Sequence, residues 1–139
     1  MKKNSQIPIT IEPLPAVLGH HWLIELKDCQ VDLLSEVAQV ARIMEDAVSI
    51  SGATKVESRF HQFNPYGVSG VIIIMESHFT IHTWPEYAYA AVDIFTCGNS
   101  IDTAKAVEFL QAAFGASSVQ TQLFERGVKP SVNSGHKIK

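Results

Sequence analysis

Apolar and polar residues alternate through much of this chain, in short runs separated by turn-forming residues. The runs "KVESRFHQF" (55–63), "VSGVIIIM" (68–75), "HFTIHTW" (78–84) and "YAAVDIFTC" (89–97) are rich in β-branched and aromatic residues and predict four strands. In the first, Val56, Ser58 and Phe60 share one face and Glu57, Arg59 and His61 the other. Asn64-Pro65-Tyr66-Gly67 has Pro and Gly where a type I turn wants them. "HWLIELKDC" (21–29) and "SVQTQLF" (118–124) predict a first and a last strand.

Two segments follow the helical period instead. From Asp32 to Ile50, the residues Leu33, Val37, Val40, Met44 and Val48 recur at three- and four-residue steps, with Asp32 as N-cap and Gly52 past the end. A second helix over "IDTAKAVEFLQAAF" is capped by Asn99 or Ser100 and stopped by Gly115, with Ala106, Val107, Leu110, Ala113 and Phe114 on its apolar face. The order is β-α-β-β-β-β-α-β. Strands joined by short turns run antiparallel, so the expected fold is α+β, an antiparallel sheet with two helices on one face. Residues 1–19 hold three of the six prolines and read as an irregular N-terminal arm. Residues 20–126 form a single domain, and 127–139 a polar tail.

Composition narrows the function. A chain of 139 residues, 46% apolar, builds one domain with a modest core and can leave a sheet face to be buried against a second copy. A net charge of -3, without a Lys/Arg cluster beyond the termini, offers no footprint for nucleic acid. Cys29 and Cys97 are too few for a disulfide scaffold. Lys2 and Lys3 lead into "NSQIPITIEPLP", which lacks the apolar core of a signal peptide, and no apolar run approaches the ~18 residues of a membrane span. The expected location is the cytoplasm, with no membrane partner.

The segment "MESHFTIHTWPEYAYAAVDIFTCG" (75–98) carries the candidate chemistry. A serine hydroxyl can attack the carbonyl of the residue before it and turn the amide into an ester. The shift needs local strain and donors that stabilise the oxyanion. A base that then takes the serine α-proton expels the upstream carboxylate, and the dehydroalanine hydrolyses to a pyruvoyl group. Glu76-Ser77 is such a pair. His82, Trp84 and Glu86 share strand parity, which gathers a base, a stacking surface and a carboxylate on one face. Cys97 ends the next strand, and Ser69 sits in the Gly67–Gly70 turn. On a helix, His78 and His82 would be spaced to chelate zinc with Cys97. Their β-branched and aromatic neighbours put them on a strand, and the expectation is no metal.

"ESHFTIHTWPEYAYAAVDIFTCG", with "FNPYGVSG" upstream, resembles the signature of the bacterial pyruvoyl-dependent S-adenosylmethionine decarboxylase family, and the likeness runs from about His20 to Arg126. The resemblance implies autocatalytic cleavage between Glu76 and Ser77, giving chains 1–76 and 77–139, with Ser77 as precursor of the covalent pyruvoyl cofactor that takes the substrate amine as a Schiff base. It implies His82 as proton acceptor in processing and Ser69 as the hydroxyl that stabilises the cyclised intermediate. Cys97 becomes the acid that protonates the substrate carbon, a role suited to a thiol at neutral pH. Phe63 and Trp84 would sandwich adenine, their faces suiting also a sulfonium cation, and Glu86 would hold the ribose hydroxyls. The implied partners are S-adenosylmethionine and a second copy, in a homodimer whose sheets face each other with the sites between them. A same-scaffold arginine or ornithine decarboxylase, and an uncleaved regulatory homologue, are the alternatives. Ala88 stands where the family usually has glycine, and His20-His21 where it usually has a basic-His pair.

Overall fold

The computed structural model of the protein describes residues 17–128. The remainder of the expected arm and tail, 1–16 and 129–139, lies outside the described residues. Six strands form one antiparallel sheet in the order β2-β3-β4-β5-β1-β6. They are β1 (Val17–Lys27), β2 (Lys55–Gln62), β3 (Val68–Ile74), β4 (Ser77–Trp84), β5 (Tyr89–Thr96) and β6 (Ser118–Val128). The helices are α1 (Val31–Ser35), α2 (Val37–Ser51) and α3 (Thr103–Ala113), and a 3₁₀ turn spans Pro85–Tyr87.

The alternation read from the sequence decides which face is covered. On β4, Phe79, Ile81 and Thr83 are buried, and on β5, Ala90, Val92, Ile94 and Thr96. The apolar ones among them meet Val40, Met44, Ala47 and Val48 of α2 and Ala106, Leu110 and Phe114 around α3 in a single core. Each fully buried Phe, Leu or Ile there contributes roughly 1.5–3 kcal/mol. The other face carries His78, His82 and Trp84 of β4, Ser69 of β3 and Asp93 of β5, and among the described residues no helix covers it. Leu23, Ile73 and Phe124 stand exposed on that face. Among the described residues no helix is long and apolar enough to cross a membrane.

Several boundaries differ from the sequence reading, each for a local reason. β1 starts at Val17, so the last three residues of the expected arm belong to the sheet. β6 runs on to Val128, paired with β1 along its whole length. The single helix expected over 32–50 is two, broken at Glu36 (φ -112, ψ 131). The Gln62 amide bridges the break: Nε2 donates to the Ser35 carbonyl at 2.9 Å and Oε1 accepts from Val37 N–H at 2.7 Å. Asp32 therefore lies inside α1, whose N-cap is Gln30. Gly52 does close α2, at φ 82. Asp102, rather than Asn99 or Ser100, caps α3, accepting from Lys105 N–H at 3.0 Å. The Asn64-Pro65 peptide, expected in a type I turn, is cis.

Candidate active site

The β3–β4 turn holds the proposed cleavage bond. The Glu76 carbonyl accepts a hydrogen bond from Cys97 N–H at 2.8 Å, made as the end of β5 returns beside the start of β4. Ser77, the next residue, has φ 147, a conformation costing on the order of 1–3 kcal/mol for a residue with a side chain. A polarised carbonyl and a strained serine thus meet at one peptide bond. The Cys97 side chain is exposed. Cys29, by contrast, is a buried thiol that desolvation and then Asp28 push up to about 11, which keeps it inert at neutral pH.

Ser69 and His82 meet at the other end of the β3–β4 hairpin. Ser69 lies within β3, directly opposite His82, rather than in the preceding turn, and its Oγ is 2.7 Å from His82 Nδ1. The contact fits either tautomer; in the one whose Nδ1–H donates to Ser69, Nε2 keeps a free lone pair that can accept a proton. A cavity of about 430 Å³, lined by Arg59, His61, Ser69 and His82 among others, opens beside this pair. A larger cavity of about 630 Å³ lies near the start of α3 and touches neither Ser77 nor His82.

The aromatic residues gather at the same end. Trp84 is 40% exposed, and Tyr89 stacks on it at a centroid distance of 5.4 Å. Burial, followed by the Glu25 carboxylate that accepts from its hydroxyl, pushes the Tyr89 phenol up to about 12. Phe63 is 48% exposed, and its N–H donates to the Gly67 carbonyl at 2.8 Å. Gly67 (φ 108) packs against Thr83 and Pro85, which brings the Phe63 turn beside Trp84. Glu86 lies in the 3₁₀ turn, off the strand face, because Pro85 ends the strand. Ala88 closes that turn at φ 50, ψ 38, where glycine is the easier residue.

Within the chain, the expected site residues fall into two groups. Ser77 and His82 lie five positions apart on β4, about 17 Å along an extended strand at ~3.4 Å per residue. Glu76, Ser77 and Cys97 occupy one end of the sheet; Ser69, His82, Phe63, Trp84 and Glu86 occupy the other. The sequence reading also missed a cluster on the open face. Asp93 Oδ2 accepts from His21 Nε2 at 2.6 Å and from His78 Nε2 at 3.1 Å, while Oδ1 accepts from Thr80 Oγ1. A carboxylate between Ala91 and Phe95 on a strand was the signal available for it.

A model of the S-adenosylmethionine decarboxylase family matches residues 20–127. The chain belongs to that family. It is 47% identical over 125 residues to the S-adenosylmethionine decarboxylase proenzyme of Thermotoga petrophila, covering 87% of this chain and 96% of the relative. With the proenzyme of Thermotoga maritima it shares 51% identity over 110 residues, 79% of this chain and 85% of the other. The crystal structure of the adenosylmethionine decarboxylase from Aquifex aeolicus superposes with a TM-score of 0.78 at 31% identity, covering 87% of this chain and all of that one.

Proposed function

We infer that this chain is a self-processing S-adenosylmethionine decarboxylase, which supplies the aminopropyl donor for spermidine synthesis. One observation carries the reading: inside the family signature, Cys97 N–H holds the Glu76 carbonyl while Ser77 sits at φ 147. Ser77 Oγ attacks the Glu76 carbonyl carbon, and the Cys97 amide stabilises the oxyanion. The Glu76–Ser77 C–N bond breaks as the hydroxyl proton passes to the freed nitrogen, leaving an ester. A base removes the Ser77 α-proton, the Glu76 carboxylate departs, and hydrolysis releases ammonia. These residues fit a pyruvoyl group at position 77, which supplies an electron sink for the electrons freed with CO2.

In this reading the base is His82 of a second copy, and its separation of about 17 Å from Ser77 along β4 of one chain supports that placement. We place the sites between two facing sheets, Ser77 and Cys97 of one chain meeting Ser69, His82, Phe63, Trp84 and Glu86 of its partner. The exposed Leu23, Ile73 and Phe124 on the open face support this homodimer, since apolar surface of that kind favours burial. Cys97 returns a proton to the substrate carbon. Phe63 and Trp84 take the adenine, and Glu86 the ribose hydroxyls. Chains 1–76 and 77–139 stay together because β4 remains paired to β3 across the cut. The two free cysteines support a reducing cytoplasm as its location.

Substrate choice is tested by comparing kcat/KM for S-adenosylmethionine, arginine and ornithine. The nucleoside is expected to win, because the amino acids leave Trp84 and Glu86 without a partner. Base stacking is worth ~1–3 kcal/mol, so Trp84→Ala should raise KM for S-adenosylmethionine roughly ten- to a hundredfold. Glu86→Gln should weaken binding as well. A wild-type preference for arginine or ornithine, or variants indifferent to the nucleoside, would overturn the substrate assignment.

A further inference from the structure

We propose that Asp93 is a positioning residue for self-cleavage: by holding the His78 imidazole, it keeps Ser77 in its positive-φ conformation. The proposal rests on the self-processing reading above. Ser77 sits between two anchors. On the upstream side, the Glu76 carbonyl is fixed by Cys97 N–H at 2.8 Å. On the downstream side, the His78 ring is fixed by Asp93 Oδ2 at 3.1 Å, and Thr80 is tied to the other oxygen of the same carboxylate. Asp93 lies on β5 opposite Thr80, so His78 reaches it diagonally, two residues along the strand. The ladder also pairs Ser77 with Ile74 and Thr96, and the side-chain anchor on His78 adds to that hold, so its release lets residue 77 relax toward negative φ. The strain is thereby directed at the bond that breaks: when Ser77 Oγ bonds to the Glu76 carbonyl carbon and the C–N bond opens, Ser77 nitrogen takes the hydroxyl proton and leaves the planar amide that constrained it.

His21, His78 and Asp93 place their ligand atoms within 4.8 Å of one another, the spacing of a metal site. Arg126 argues for the anchor. Its Nη1 is 2.9 Å from His21 Nδ1, and a guanidinium only donates, so Nδ1 accepts and Nε2 carries the hydrogen that points to Asp93. A ring nitrogen bearing that hydrogen donates to a carboxylate and does not ligate a cation.

The test is a double-mutant cycle in uncleavable protein. Ser77→Ala and Ser77→Gly are each prepared with Asp93 and with Asp93→Ala, and thermal unfolding is recorded at one protein concentration. With Asp93 present, Ser77→Gly should melt roughly 3–10 °C above Ser77→Ala, because glycine accepts positive φ without strain. With Asp93→Ala the difference should vanish or reverse, leaving only glycine's larger unfolded-state entropy. His78→Ala should erase it too. Should Asp93→Ala leave too little folded protein, Asp93→Asn carries the same comparison. In the Ser77 chain, Asp93→Ala should slow cleavage at least tenfold by intact mass. An equal glycine advantage in both backgrounds would overturn the proposal, since a merely structural carboxylate lowers both melting points alike. So would one Zn²⁺ per chain bound by Ser77→Ala and lost on adding Asp93→Ala. A wild-type chain that never cleaves, with the cycle as expected, would sink the processing reading and leave the anchor standing.

Discussion

Co-expression of Ser77→Ala and His82→Ala chains is expected to restore a cleavage that neither variant shows at a useful rate alone. Ser77→Ala has no hydroxyl to attack with. His82→Ala keeps the hydroxyl, the strained backbone and the Cys97 amide but lacks the proposed base, a loss typically worth ~10²–10⁴-fold in rate. On the proposed shared site, with Ser77 and His82 about 17 Å apart along β4, each base serves the serine of the other chain. In a mixed dimer, the His82→Ala chain presents an intact Glu76-Ser77 bond to the intact His82 of its partner. That chain alone should split, readily told by mass from the Ser77→Ala chain. If mixed dimers form and stay whole, the site is not shared between copies.

Cys97→Ala should separate processing from turnover. The group on the Glu76 carbonyl is the backbone N–H of residue 97, which alanine retains. Cleavage should therefore proceed in the variant. Turnover should not: without the thiol, no acid at that position protonates the substrate carbon, and CO2 release per cleaved chain should fall by ~10²–10⁴-fold. A cleaved Cys97→Ala enzyme turning over at the wild-type rate would reduce the thiol to packing. A variant that fails to cleave would mean the side chain, and not only the amide, takes part in processing.

The strands were legible because one face is covered and the other is not. Burial follows the period of two closely on β4 and β5, and those elements appear where the alternation predicts them. β6 is an edge strand with exposed residues along most of its length, so its last residues carried no such pattern. The break at Glu36 was invisible because the group that satisfies it belongs to Gln62, far along the chain. Strand parity brought His82 and Trp84 to one face but carried Glu86 wrongly past Pro85, which ends the strand. What periodicity lacked was distance along the sheet. It put Ser69, Ser77, His82 and Cys97 in one neighbourhood, whereas register divides them into Ser69 with His82 and Glu76-Ser77 with Cys97. The Asp93 cluster depends on pairing β1, β4 and β5, and no single segment records it.

Intact mass of the purified wild-type protein tests self-processing most directly. Two species are expected: a fragment of residues 1–76 ending in a free Glu76 carboxylate, and a fragment of residues 77–139 lighter by one ammonia than its unmodified sequence and blocked to Edman degradation. Ser77→Ala should give one unsplit chain. A single unmodified wild-type species of 139 residues after prolonged incubation, or a downstream fragment with an ordinary serine at its start, would contradict it.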